Sequence, residues 1–128
     1  MVDVTPLVKS GQQIIQSYAD GSFRVSGKVY ETAVVVVPDE TQIWDIGAVS
    51  VSDLSADDFS PLLAHGDNLD VILLGTGKQI AFLAPELKVE LKSRGLHVEV
   101  MDSGAAARTY NVLMADGRRV AAALLPFS

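Results

Sequence analysis

From residue 71 onward the chain alternates two patterns, and this alternation limits its fold more than any other feature. An apolar run at 71–74 has strand length and composition. A helical stretch at 85–94 follows, opened by Pro85 at a favoured first position and closed by Gly95. Residues 97–101 form a second strand. A second helix starts at Ser103 or Gly104, runs to Ala115 and stops at Gly117, and a third strand occupies 119–125. A β-α-β-α-β order predicts right-handed crossovers and a sheet with helices packed on it.

The first seventy residues read differently. Ile14, Ile15 and Tyr18 precede a hairpin turn at 19–22, with Gly21 where φ must be positive. Phe23 and Val25 then alternate with Arg24 and Ser26, the mark of a half-buried strand. The β-branched run 33–37, ended by Pro38, suits a strand covered on both faces. Ile43, Trp44 and Ile46 predict another short extended piece. A short helix is expected from Ser55, with Ser55 capping the amide of Asp58 and Leu54 and Phe59 in hydrophobic-staple positions. Pro61 falls inside it and removes a hydrogen bond, which predicts a kinked helix of a few turns ended at His65-Gly66. The expectation is an α/β fold with an added N-terminal antiparallel part, a single domain over 1–128.

Composition narrows the function. A chain of 128 residues with 48% hydrophobic content can bury a proper core without metal or disulfide staples. It has no cysteine, which removes disulfides, thiolate catalysis and cysteine-ligated metal together. No apolar run is long enough for a membrane span, and the start reads as neither signal nor transit peptide, so a cytoplasmic location is expected. The net charge of −6 argues against a nucleic-acid partner. That charge is uneven: residues 1–70 hold 3 Lys/Arg against 11 Asp/Glu, and residues 71–128 hold 7 against 5.

Chemistry could sit where the parallel strands end. Gly75, Thr76 and Gly77 follow the first strand, but Ile80 stands where a dinucleotide fingerprint needs its third glycine. Gln79 stands where a P-loop needs serine or threonine. Glycines that turn the chain out of the sheet are the plainer reading. At the next strand end, Asp102, Ser103 and Gly104 open a helix, and Arg108 lies one turn on. Those groups suit a small carboxylate, sulfate or phosphate. Asp102 opposes that reading with its charge, and Asp and Ser before a helix are ordinary caps. Tyr110 reads as a core aromatic. Arg118 and Arg119, if on a strand, point to opposite faces and cannot line one pocket. His65 and His97 lack metal-pair spacing, no serine-nucleophile elbow occurs, and no cofactor, metal or catalytic residue is indicated.

The stretches LLGTG (73–77), APEL (84–87) and RGLHVEVMDSGAAARTYNVLMADGRRVAAALLP (94–126), with Trp44 and LSADDF (54–59), resemble the Mth-type family of domains of unknown function. That family includes the mitochondrial assembly factor three of respiratory complex I and an adipogenesis-associated protein. The resemblance implies a three-layer α/β fold whose central mixed sheet has one strand antiparallel to the rest, with flanking helices. Many members carry cysteine where this chain has Ala107, so a shared thiol chemistry would not extend to it. The resemblance implies a non-catalytic interaction or assembly module with an unidentified protein partner. The alternative is a metabolite-binding protein or enzyme that holds a small anion between the 75–77 loop and the 102–108 helix start. Self-association through the β-rich half is a third possibility, with the oligomeric state open.

Overall fold

The computed structural model describes residues 11–19, 21–46, 50–65 and 68–126. Among these residues, eight strands form two sheets. The smaller is an antiparallel meander of β1 (Ile15–Ala19), β2 (Ser22–Val25) and β3 (Lys28–Tyr30). The larger contains β4 (Val34–Val37), β5 (Glu40–Ile43), β6 (Val71–Gly75), β7 (Val98–Met101) and β8 (Val120–Leu124), in the order β5-β4-β8-β6-β7. Strands β7, β6 and β8 are parallel, β4 is antiparallel to β8, and β5 is antiparallel to β4. Only β4 therefore runs against the rest, as the family resemblance implied.

Strand alternation divides the core in two. Val35 and Val37 of β4, Ile72 and Leu74 of β6, and Ala121 and Ala123 of β8 face one side, beneath α2 (Pro85–Ser93) through Leu87 and Leu91. Val34, Val36, Leu73, Ala122 and Leu124 face the other, beneath α3 (Ser103–Ala115) and the meander. Of the three alanines of the central strand, Ala122 faces α3, whose Ala106 and Ala107 are equally small and buried. Small side chains on both surfaces let helix and sheet approach closely.

The proline region departs from expectation. A 3₁₀ turn at Ala56–Phe59 passes into a single helical turn, α1 (Ser60–Leu63), with Pro61 at its start. There the missing N–H is one that no helix uses, so Pro61 breaks no bond. The Asp58 carboxylate accepts the Ser55 N–H at 2.8 Å, and the Trp44 indole N–H donates to the Asp58 carbonyl at 2.6 Å. Trp44 also meets Phe59 edge-on, with centroids 5.6 Å apart. Trp44 and Ile46 lie beyond β5 rather than in a strand. The expected helix stop at Gly66 falls outside the described residues.

Candidate functional site

Six of the seven residues singled out in the sequence meet at one place. Gly75 pairs with Met101 across the parallel β6–β7 ladder, so the loops after both strands leave the sheet side by side. Ser103 is the centre of the junction. Its Oγ accepts the Gly77 N–H at 2.8 Å and donates to the Leu125 carbonyl at 2.6 Å, while its own N–H donates to the Gly77 carbonyl at 2.8 Å. The Thr76 N–H donates to the Met101 carbonyl, and the Leu125 N–H to the Gly75 carbonyl, both at 2.9 Å. One fully buried hydroxyl thus ties together the segments that follow β6, β7 and β8.

The glycines answer to the same packing. A Cβ on Gly75 would lie 2.7 Å from Ser103 Oγ and 2.8 Å from both the Ser103 Cα and Leu124 Cδ2. Gly77 has φ near +102°, a conformation that L side chains rarely adopt. A Cβ on Gly104 would come within 3.1 Å of the Tyr18 ring. Thr76 folds the following loop over its own side chain, with Oγ1 donating to the Gln79 carbonyl and accepting the Ala81 N–H. Asp102 caps α3 by accepting the Ala105 N–H at 2.8 Å. The amides of Thr76, Gly77 and Ser103 are therefore already donated to protein acceptors.

Arg108 stands apart. It is exposed one turn along α3, and its guanidinium donates to the Tyr18 hydroxyl. Its neighbours complete a clasp that the helical periodicity did not reveal. The Tyr110 hydroxyl donates to the Gln13 carbonyl at 2.9 Å. The Asn111 amide accepts the Ile15 N–H at 2.9 Å and donates to the Ile15 carbonyl at 2.7 Å, as a paired strand would. The run Arg108-Thr109-Tyr110-Asn111 thus holds β1 and the residues before it onto α3. Burial raises the Tyr110 pKa well above the ordinary tyrosine value, and the charge of Asp39 adds to the shift. The hydroxyl is a fixed donor, unsuited to giving up its proton near neutral pH.

A cleft of about 510 Å³ lies at the opposite end of the sheet, bordered by Pro38, Glu40, His65, Met114, Arg118 and Arg119. Both arginines line it, contrary to expectation, because β8 begins only at Val120 and strand alternation does not govern the turn before it. Arg119 grips Asp70 with two bonds, at 2.6 and 3.1 Å, and Arg118 reaches Asp116 at 3.3 Å. The hydrogen bond from Arg119 is the chief cause that lowers the Asp70 pKa. Sequence reasoning missed this cleft, because its walls come from segments distant in the chain.

Residues 15–125 match the model of a family described as a protein of unknown function, DUF498/DUF598. The chain belongs to this family. An uncharacterized protein of Rhodobacter capsulatus is 37% identical over 91% of this chain and 87% of its own length. NADH dehydrogenase [ubiquinone] 1 alpha subcomplex assembly factor 3 of Danio rerio is 35% identical over 91% of this chain, and its human counterpart 30% identical over 88%. The chain spans 66% and 60% of those two proteins respectively. Among solved structures, a Bordetella parapertussis protein is 35% identical with a TM-score of 0.80, covering 91% of this chain and 98% of its own. A Bordetella pertussis Mth938-like domain is 29% identical with a TM-score of 0.79, covering 98% and 92%. The DUF498/DUF598 chain shares its Mth938-like α/β fold with these neighbours. Among the described residues, no helix is long and apolar enough to cross a membrane.

Proposed function

We propose that this chain is a non-catalytic interaction module, a single domain that helps assemble or stabilise a larger protein complex in the cytoplasm. The observation that carries the reading is similarity over nine-tenths of the chain to a protein named as a complex I assembly factor. One physical feature supports it. The strand-end junction, where open α/β folds tend to bind ligands, is occupied by its own hydrogen bonds. The conserved geometry of a fold carries over more readily than a partner's identity, so complex I itself is the first partner to test rather than a premise. The test is affinity capture of the full chain from native lysate across a salt series, followed by native-gel sizing. A defined complex that persists as salt rises is the expected result. Recovery of the chain alone at every salt concentration would overturn the reading.

The alternative keeps a small anion between Gly75–Gly77 and Asp102–Arg108. It draws on the convergence of the two loops and on the exposed Arg108 guanidinium beside them. Binding there requires the Thr76, Gly77 and Ser103 amides to leave their present acceptors. Phosphate, sulfate and a panel of phosphorylated metabolites titrated into labelled protein would then shift those amides together with Gly104. Unchanged amide signals at millimolar ligand would retire this alternative.

A further inference from the structure

The larger sheet has two edges, β5 and β7. Among the described residues no strand lies beyond β7. The Ile72 N–H reaches the His97 carbonyl and the Thr76 N–H reaches the Met101 carbonyl, so the odd-numbered residues of β7 turn their peptide groups toward β6. Strand alternation then aims the N–H and C=O of Val98 and Val100 outward. A row of unpaired backbone groups at a sheet edge is a template for another strand.

The flank of α2 gives that template a sign. At 100° per residue, Leu87 and Leu91 point into the core, Lys88 and Lys92 fall on one flank, and Glu86 and Glu90 fall on the other. The lysine flank is the one beside the free edge. Lys88 and Lys92 border a shallow groove of about 130 Å³ together with Leu96, His97, Val98 and Glu99. Both lysines are exposed, and neither is in an ion pair among the described residues, whereas Glu90 is held by Arg94. Val98 and Val100 pack toward the α2 side, so strand alternation turns the Glu99 side chain to the other face while its backbone borders the groove.

We propose that β7 accepts an added strand from an extended, acidic segment of a partner protein, with its carboxylates under Lys88 and Lys92. Main-chain pairing would supply affinity, and the lysine flank would supply specificity and orientation. A second copy of this chain is the wrong occupant. Antiparallel pairing of two β7 strands about a twofold axis keeps both α2 helices on one face of the joined sheet. It would set Lys88 and Lys92 against the same pair. The proposal rests on the assembly reading above and names the surface and partner chemistry that reading lacks.

The probe is a blocked seven-residue peptide of alternating threonine and glutamate, titrated to millimolar concentration into the labelled full chain. A threonine–lysine peptide is the control. Amide exchange at Val98 and Val100 should slow, while Glu99 and Met101, already turned toward β6, stay unchanged. The double variant Lys88→Glu/Lys92→Glu alters two exposed positions and should retain its thermal unfolding profile. It should bind the acidic peptide about tenfold more weakly. The proposal is overturned by unchanged exchange at Val98 and Val100, or by equal binding of the lysine peptide. It is equally overturned if those amides become protected with protein concentration alone, the signature of self-pairing. A captured complex that survives the double substitution would refute the edge but leave the assembly reading intact. Failure to capture any complex would refute the assembly reading, with the peptide titration still decisive for the edge.

Discussion

Where β6, β7 and β8 end, Ser103 is fully buried and its hydroxyl and amide join three chain segments. Where β6 and β8 begin, Arg118 and Arg119 stand exposed around a cleft of about 510 Å³. Open α/β folds usually reverse this arrangement, with the ligand crevice beyond the carboxyl ends of the strands. The comparison teaches that a glycine-rich exit from a parallel sheet has two quite different uses. Here the glycines at the closed end make room for a neighbour: Gly75 admits Ser103 and Gly104 admits the Tyr18 ring. At the open end the polar groups are charged, paired at the surface and accessible.

The largest expected effect lies at the closed end. Gly75→Val places side-chain carbons where Ser103 Cα and Leu124 already sit, and should lower unfolding stability by about 3 kcal/mol in a urea titration. A near-neutral result would mean that the junction is looser than its contacts imply. Ser103→Ala comes next. It leaves the Gly77 N–H and the Leu125 carbonyl without their buried partner, for a loss of about 2 kcal/mol. Faster amide exchange at Gly77 should accompany that loss. If stability falls while Gly77 stays protected, the hydroxyl is not the tie between the loops.

Tyr110 lies between the two ends and brings in pH. Its folded-state pKa is raised, so its contribution is fully present below the ordinary tyrosine value and declines as pH rises above about 10. Tyr110→Phe should lose about 1 kcal/mol at neutral pH, from the bond to Gln13, and should lack this part of the alkaline decline. Parallel alkaline curves for the two proteins would contradict the assignment. The smallest effect belongs to the open end. Asp70 has a depressed pKa, so what it contributes is present above the ordinary aspartate value and is lost as pH falls through the depressed one. A carboxyl-carbon titration should find Asp70 below the usual range, and Arg119→Gln should return it there. The accompanying shift in the unfolding midpoint should be the smallest of the four, because the pair is exposed.

The same contrast explains what was legible in the sequence. The β-α-β-α-β half is punctuated by Pro85, Gly95 and Gly117, which mark element ends through local backbone preference. Local signals of that kind survive folding, and the observed bounds α2 (Pro85–Ser93) and α3 (Ser103–Ala115) lie close to the expected ones. The convergence of 75–77 with 102–104 followed from strand direction alone. What escaped was set by distant partners. Nothing local to Asn111 announces that its amide will pair with the backbone of Ile15, 96 residues away. Arg118 and Arg119 read as strand residues because the turn before β8 carries no glycine or proline after Gly117. Ser103 read as a helix cap or as a ligand-facing amide; that its hydroxyl joins the loops is visible only once β8 is in place.

β8 sits in the middle of the larger sheet, yet it follows every other described strand in the chain. During synthesis, the β4–β5 hairpin and the β6–β7 pair would emerge as two fragments, each with an apolar flank facing a vacancy. Neither can close until the alanine strand slides between them, so native order should arrive late and all at once. A released chain truncated before Val120 would present two sticky half-sheets to any chaperone nearby.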